Sequence, residues 1–174
     1  MINFDCQPLG DQAVLLTFGQ TIDETVDHNI QQTLQAIQVA NFPWVIDIVP
    51  SYTTICIYYN VVHIALMHNR SPYQFVVDSL LALHIVETTE RHTRIIEIPV
   101  QYGGEDGPDL SYVAAHCGLT EADVILRHTS RDYKVHMLGF LPGFPYLSGV
   151  DETIAVPRKE VPSALVRAGS VGIA

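Results

Sequence analysis

Positive charge is scarce in this chain. Nine lysines and arginines stand against nineteen aspartates and glutamates, a formal net charge of −10 over 174 residues. Such a surface repels polyanions, and Arg91, Arg94, Arg127, Arg131 and Lys134 are too scattered to build the basic face that displaces counterions from nucleic acid. Nucleic acid is therefore excluded as an expected partner, and an anionic membrane with it. No apolar run approaches the roughly 20 residues that span a bilayer. The amino terminus, Met1-Ile2-Asn3-Phe4-Asp5, lacks the basic region and apolar run of a signal peptide. Cysteine is sparse too: Cys6, Cys56 and Cys117 are odd in number, far apart and outside any C-x-x-C pattern, as suits reduced thiols better than a disulfide framework. These absences together predict a soluble, cytoplasmic protein.

Several reaction signatures are missing as well. His63 and His68 are five apart, no H-E-x-x-H or H-x-x-x-H spacing occurs, and His116-Cys117 and His128 converge only if the fold brings them together, so no metal is expected. Serine nucleophile chemistry has no G-x-S-x-G elbow and no S-x-x-K. The acidic loop Gly103-Gly104-Glu105-Asp106-Gly107 matches neither a phosphate-binding loop nor a calcium loop and reads as a solvated connection.

What is present is globular: apolar residues make up 48% of the chain and charged residues 16%. Phe4 to Gly10 and Ala13 to Gly19 read as paired strands. A capping box of Thr21 and Glu24 opens a helix with Ile22, Val26, Ile30, Leu34 and Ile37 on its buried face, its glutamines and His28 facing solvent. Trp44 to Val49 and Thr53 to Tyr59 are the next strands. Ser71, Pro72 and Gln74 start a helix over Phe75 to His84, and Arg94 to Val100 is a further strand. Without the first arm, the order is β-α-β-β-α-β, the split arrangement of ferredoxin-like domains. The polar break near Glu87 to Arg94 sets the expected boundary, giving an α/β domain over 1–90 and a second domain over 91–174. In the latter, Asp109 caps a helix ended by Gly118, and Thr120 with Asp123 caps another; strands and Gly/Pro turns follow, as in a barrel or sandwich. The last stretch, Val166 to Ala174, reads as strand-turn-strand without a closing element, which predicts an open edge completed by further chain or by a partner.

The richest stretch is His136 to Gly149, H-M-L-G-F-L-P-G-F-P-Y-L-S-G. Its prolines and glycines are unlike a core strand, and Phe140, Phe144 and Tyr146 are costly to leave in water. A rigid loop turned at Gly139, Pro142 and Gly143, presenting aromatic faces around a concave site, satisfies both facts; a well-packed turn closing a barrel is the plainer alternative. His136, just ahead of the aromatics, suits proton transfer or the orientation of a polar substrate. Arg158, after Val156-Pro157, is the nearest fixed cation for a carboxylate. The plainer alternatives are a strand histidine bonded to a carbonyl and a surface arginine. Ser148 and Ser170, each beside a glycine, suit turns.

At H-x-x-G-F-x-P-G-F-x-Y-L, then V-P-R, then A-G-S-V-G-I-A, the sequence resembles the family of 5-oxoprolinase B subunits (PxpB/KipI, also called allophanate hydrolase subunit 1), with support from the early G-D-Q-A-V-L-L and Asp47 to Tyr52 segments. The resemblance implies an α+β protein: an amino-terminal ferredoxin-like α/β domain, then a cyclophilin-like β-barrel domain, incomplete at its carboxy-terminal end. It implies a component that works with a PxpC-like (KipA-like) and a PxpA-like partner to open 5-oxo-L-proline to L-glutamate at the expense of ATP. It also brings two alternatives, a KipI-type inhibitor of a sensor histidine kinase and a component related to urea carboxylase or allophanate hydrolase. The motif residues carried over are His136, Gly139, Phe140, Pro142, Gly143, Phe144, Tyr146 and Leu147, Pro157 and Arg158, and Ala168 to Ala174. His136 and Arg158 are the catalytic candidates; Gly139, Phe140, Pro142, Gly143, Phe144, Tyr146, Gly169 and Ser170 are the substrate-binding ones. The chain departs from the family pattern at Ser163, where an arginine is usual, and at Arg167, where a proline is usual; the family's last strands, beyond Gly172-Ile173-Ala174, are absent from this sequence.

Overall fold

The two most continuously apolar strands lie at the centre of a sheet, each paired along both edges. A computed structural model describes residues 3–68, 70–85, 94–139, 141–161, 163 and 165–173. In it β1 (Asp5–Pro8), β2 (Ala13–Thr17), β3 (Val45–Pro50) and β4 (Thr54–Tyr59) form a four-stranded sheet in the order β1-β2-β4-β3. Every neighbouring pair is antiparallel. The register sets Leu16 opposite Ile55 and Val14 opposite Ile57, so four fully buried side chains face one another on the central strands. A bulge between Val45 and Asp47 shifts the pairing of β3.

Helix α1 (Glu24–Ala40) covers this sheet with Val26, Ile30 and Ile37. Its cap is Asp23 rather than Thr21: the Asp23 carboxylate accepts the Val26 amide at 2.8 Å, so the helix begins later than expected and Ile22 is left exposed. The aspartate displaces the threonine because a short carboxylate three residues before a free amide is a strong acceptor. Asn41 ends the helix in the left-handed region, which asparagine tolerates. Gln32 is buried rather than solvated, its amide 2.8 Å from the His28 ring nitrogen one turn earlier.

Two further helices, α2 (Val61–His68) and α3 (Pro72–Leu81), follow β4. The first was not legible as a helix; Asn60 caps it by accepting the His63 amide at 2.9 Å. The second starts at Pro72, the first helical position expected after Ser71, but ends at Leu81 rather than His84, and its Gln74 turns to Asp78 rather than closing a capping box. The core is finished by Trp44, stacked on Phe42 at 4.7 Å and met edge-on by Phe75.

The chain divides into two compact units, residues 1–93 with 136–146, and residues 94–135 with 147–174. The polar break over Glu87 to Thr93 lies outside the described residues. In the second unit α4 (Leu110–Cys117) and α5 (Glu121–Thr129) pack with a 3-10 turn, Glu152–Ile154, around Val113, Ala114, Val124 and Ile154. Both sequence-derived boundaries hold here. Gly118 ends α4 in the left-handed region, and Thr120 and Asp123 form a reciprocal capping box.

The strand expected over Arg94 to Val100 is not formed. These residues carry no regular structure, and Ile95, Ile96 and Ile98 are exposed. β-branched composition makes a strand only where another strand offers an edge, and in the sheet it is β1 that lies beside β2. Among the described residues after 149 there is no strand either: the expected strand-turn-strand near the end shows its turn at Ala168-Gly169 alone. The result is an α+β protein with antiparallel sheets.

Candidate functional site

The stretch His136 to Gly149 is a hairpin rather than a single loop. Strand β5 (Lys134–Leu138) carries His136, β6 (Pro145–Ser148) carries Tyr146, and the two form a separate two-stranded sheet. Proline is tolerated as the first residue of β6, where a missing amide costs least. Between the strands, Gly139 donates to the Phe144 carbonyl at 3.0 Å and Phe144 donates to the Leu141 carbonyl at 3.0 Å, while Gly143 takes a φ of 79°. Phe140 lies outside the described residues.

Residues 136–146 belong to the first unit, and there His136 is enclosed. Its side chain is 6% exposed, and its Nδ1 stands 3.5 Å from Oδ1 of Asp27, in the first turn of α1, whose side chain is 5% exposed. The ring of Tyr52, from the turn between β3 and β4, lies 5.3 Å from the imidazole and meets Tyr146 edge-on at 6.4 Å. Tyr146 in turn packs against Phe144 at 5.1 Å. The Ser51 hydroxyl donates to the Met137 sulfur at 3.4 Å. A buried carboxylate and imidazole walled by aromatic rings can hold a proton, fix a ring tautomer and exclude water.

Not every sequence-derived candidate shares this environment. Pro142 and Gly143 are exposed at the hairpin tip, and Phe144 is 42% exposed. Arg158, Gly169 and Ser170 lie in the second unit and are exposed. There the Ser170 hydroxyl donates to the Arg167 carbonyl at 2.7 Å, the turn-serving role its neighbouring glycine suggested. Arg167 itself pairs with Asp106 at 3.3 Å, which ties the carboxy-terminal turn to the Gly-rich loop. Among the described residues no three His, Cys, Asp or Glu side chains gather as a metal site. Several histidines have ring partners instead: His68 stacks on Phe75 at 4.1 Å, and His128 bonds the Tyr102 hydroxyl through Nδ1.

Two members of the His136 environment escaped the sequence patterns. Asp27 carries the same signal as any acidic residue in a first helical turn. Tyr52 stood in a segment of family resemblance but showed no chemistry of its own.

Comparison with known proteins bears on all of the chain. A family model described as "Carboxyltransferase domain, subdomain C and D" matches residues 4–174. A protein of Bacillus subtilis (strain 168) described as the B subunit of 5-oxoprolinase is 40% identical over 179 residues, covering 99% of this chain and 74% of that protein. Its namesake in Escherichia coli O157:H7 is 37% identical over 172 residues, covering 97% of this chain and 73% of that protein. Among solved structures, the crystal structure of TTHA0988 superposes with a TM-score of 0.70 at 31% identity; the alignment takes in 86% of this chain but only 28% of that longer one. On these matches, the chain belongs to the carboxyltransferase subdomain C and D family, in the branch of the 5-oxoprolinase B subunits.

Proposed function

We propose that this chain is the B subunit of an ATP-dependent 5-oxoprolinase, which opens 5-oxo-L-proline to L-glutamate together with a PxpA-like and a PxpC-like partner. The observation that carries the reading is its similarity, at 40% and 37% identity over nearly its whole length, to two proteins described as 5-oxoprolinase B subunits. The His136 environment gives that reading a chemical centre.

In the net reaction, water adds across the lactam C–N bond: the carbonyl carbon gains the oxygen, the nitrogen gains the proton, and the ring opens to a free amine and a second carboxylate. An unstrained amide resists this step, and coupling it to ATP hydrolysis supplies the driving force. A histidine beside the scissile bond has the proton affinity to take a proton from the attacking water and return it to the departing nitrogen. We assign that role to His136. The aromatic wall of Tyr52, Phe144 and Tyr146 covers the flat faces of a small ring and keeps bulk water out. On the hairpin, Gly139, Pro142 and Gly143 are proposed to shape the binding surface; for Phe140, Arg158, Gly169 and Ser170 the family motif alone supports a substrate-binding role, with Arg158 as the proposed partner of the substrate carboxylate.

ATP enters this scheme as a co-substrate of the assembled system. The sequence has no phosphate-binding loop of the G-x-x-x-x-G-K-[ST] type, so we assign the nucleotide to a site shared with the partner proteins. Phe144, 42% exposed at the hairpin tip, suits a surface that the PxpC-like partner covers. In architecture, we read the first unit as a ferredoxin-like domain in which β1 takes the outer-strand position, and the second as the start of a cyclophilin-like barrel. Cytoplasmic placement is supported by three free cysteines. No described helix is long and apolar enough to cross a membrane.

The test is reconstitution. Purified PxpA-like and PxpC-like partners with this chain, ATP and 5-oxoproline should form glutamate and ADP together. Unchanged 5-oxoproline-dependent ADP formation when this chain is left out would end the reading.

A further inference from the structure

Among the described residues, Asp27 is the only charged residue that is buried, at 4% exposure. A carboxylate removed from water costs several kcal/mol unless opposite charge or hydrogen bonds offset it. The backbone explains part of its placement: its amide donates to the Asp23 carbonyl at 3.0 Å, and the first turn of a helix favours negative charge. Neither demands burial, since Glu24 in the same turn is exposed. The side chain faces His136, with Nδ1 at 3.5 Å from Oδ1. Such a spacing is long for a hydrogen bond, as pairs that tighten on ligand binding often are in the free protein. Tyr52 closes over the imidazole and Tyr146 over Tyr52, so the ring is held by packing as well as by charge. A histidine serving only as filler would need no carboxylate; one whose second nitrogen must face a ligand needs its first one fixed.

We propose that Asp27 is a positioning residue for His136, holding the imidazole through Nδ1 so that Nε2 is the nitrogen that handles the ligand's proton. The proposal rests on the role assigned to His136 above and deepens it. Asp27 touches no reacting atom; it sets the tautomer and the orientation of the ring that does.

Nitrogen-15 spectra of the imidazoles in the full chain, free of partners and substrates, read the tautomer directly, with His136→Gln identifying the signal. In the unmodified chain at neutral to alkaline pH, His136 should carry its proton on Nδ1. Asp27→Asn should move it toward the Nε2-protonated form, and Asp27→Glu should retain part of the original population. In the reconstituted system, Asp27→Asn should lower kcat about 10- to 100-fold, by analogy with carboxylates that orient metal-ligating histidines, with KM little changed and partial recovery in Asp27→Glu. An Nε2-protonated His136 in the unmodified chain overturns the proposal whatever the Asp27 variants show, and so do identical His136 spectra in the unmodified chain and a folded Asp27→Asn. A tautomer shift with undiminished kcat supports the Asp27–His136 coupling and instead overturns the catalytic role given to His136.

Discussion

The ring of Tyr52 lies 5.3 Å from the imidazole of His136, tilted by 41°. The two residues arrive from turns and strands 84 positions apart, and Tyr146 completes the contact from the other arm of the hairpin. An aromatic pair of this kind is worth about 0.5–1.5 kcal/mol beyond its area. Tyr52→Leu should therefore cost the chain about 1 kcal/mol of stability, yet lower 5-oxoproline turnover by about tenfold, a barrier change of about 1.4 kcal/mol. Tyr52→Phe, which keeps the ring, should retain most activity. Paired denaturant titrations and assays decide it; equal turnover in the leucine and phenylalanine variants would remove Tyr52 from the wall.

The hairpin tip makes a second prediction, because two of its glycines are needed for different reasons. At Gly143 an added Cβ meets nothing within 4 Å, but φ is 79°, so Gly143→Ala should cost about 1–2 kcal/mol through backbone strain alone. At Gly139 the nearest atom to an added Cβ is the flexible Met137 Cε at 3.2 Å, and φ is unremarkable. Gly139→Ala should be the milder change in thermal unfolding. The reverse order would show that the tip is not held as described.

How much of this was legible in advance depended on how local each cause was. Thr120 and Asp123 satisfy each other within one turn, and Gly118 ends α4 through its own backbone, so both could be read from a few letters. The central strands were legible from their near-continuous apolar runs, in which Val14, Leu16, Ile55 and Ile57 form a fully buried face. Arg94 to Val100 carries a similar composition, but a strand also needs an edge to pair with, and pairing is not written in the segment itself. Helix α2 is apolar nearly all round, so Val61-Val62-His63-Ile64 offers no helical stripe to read. Asp27 and Glu24 look alike in sequence, yet Asp27 is buried facing His136 of β5, more than a hundred residues later, and Glu24 is left in water. His136 could be singled out from its motif; its partners could not.

The capping box of α5 gives a third test. The Thr120 hydroxyl bonds Asp123 Oδ2 at 2.5 Å and the Thr120 amide reaches the same oxygen at 3.2 Å; these bonds, the hydroxyl first, hold the Asp123 carboxyl below the ordinary carboxylate range. The folded state thus prefers the ionised acid. Its contribution is present above the ordinary carboxylate pKa and lost as pH falls through the lower folded value. Thr120→Ala should cost about 1 kcal/mol at neutral pH, and the destabilisation by Asp123→Asn should shrink as pH falls from 7 to 3. A constant deficit for Asp123→Asn across that interval would contradict the assignment.

His128 supplies the opposite case, a group favoured in its neutral form. Burial pushes its pKa below the ordinary histidine value and pushes the Tyr102 and Tyr133 phenols above theirs. Tyr102 therefore keeps its proton and can donate it to Nδ1 of the neutral ring, while Tyr133 donates to the His128 carbonyl at 2.8 Å. Protonating the imidazole sets two donors against each other in a half-buried place. Because the folded pKa is lowered, the unfolded chain binds the proton first; stability is complete above about pH 6.5 and falls as pH drops from there through the folded value. The chain has eight histidines, so the dependence must be isolated as a difference. His128→Gln keeps an acceptor for Tyr102 but does not titrate. The stability gap between the unmodified chain and this variant, from urea unfolding at pH 8, 7, 6 and 5, should shrink or change sign as the pH falls. A gap that stays constant from pH 8 to 5 would mean that His128 titrates alike in the folded and unfolded chain, and the Tyr102–His128 contact would then have no part in the acid response.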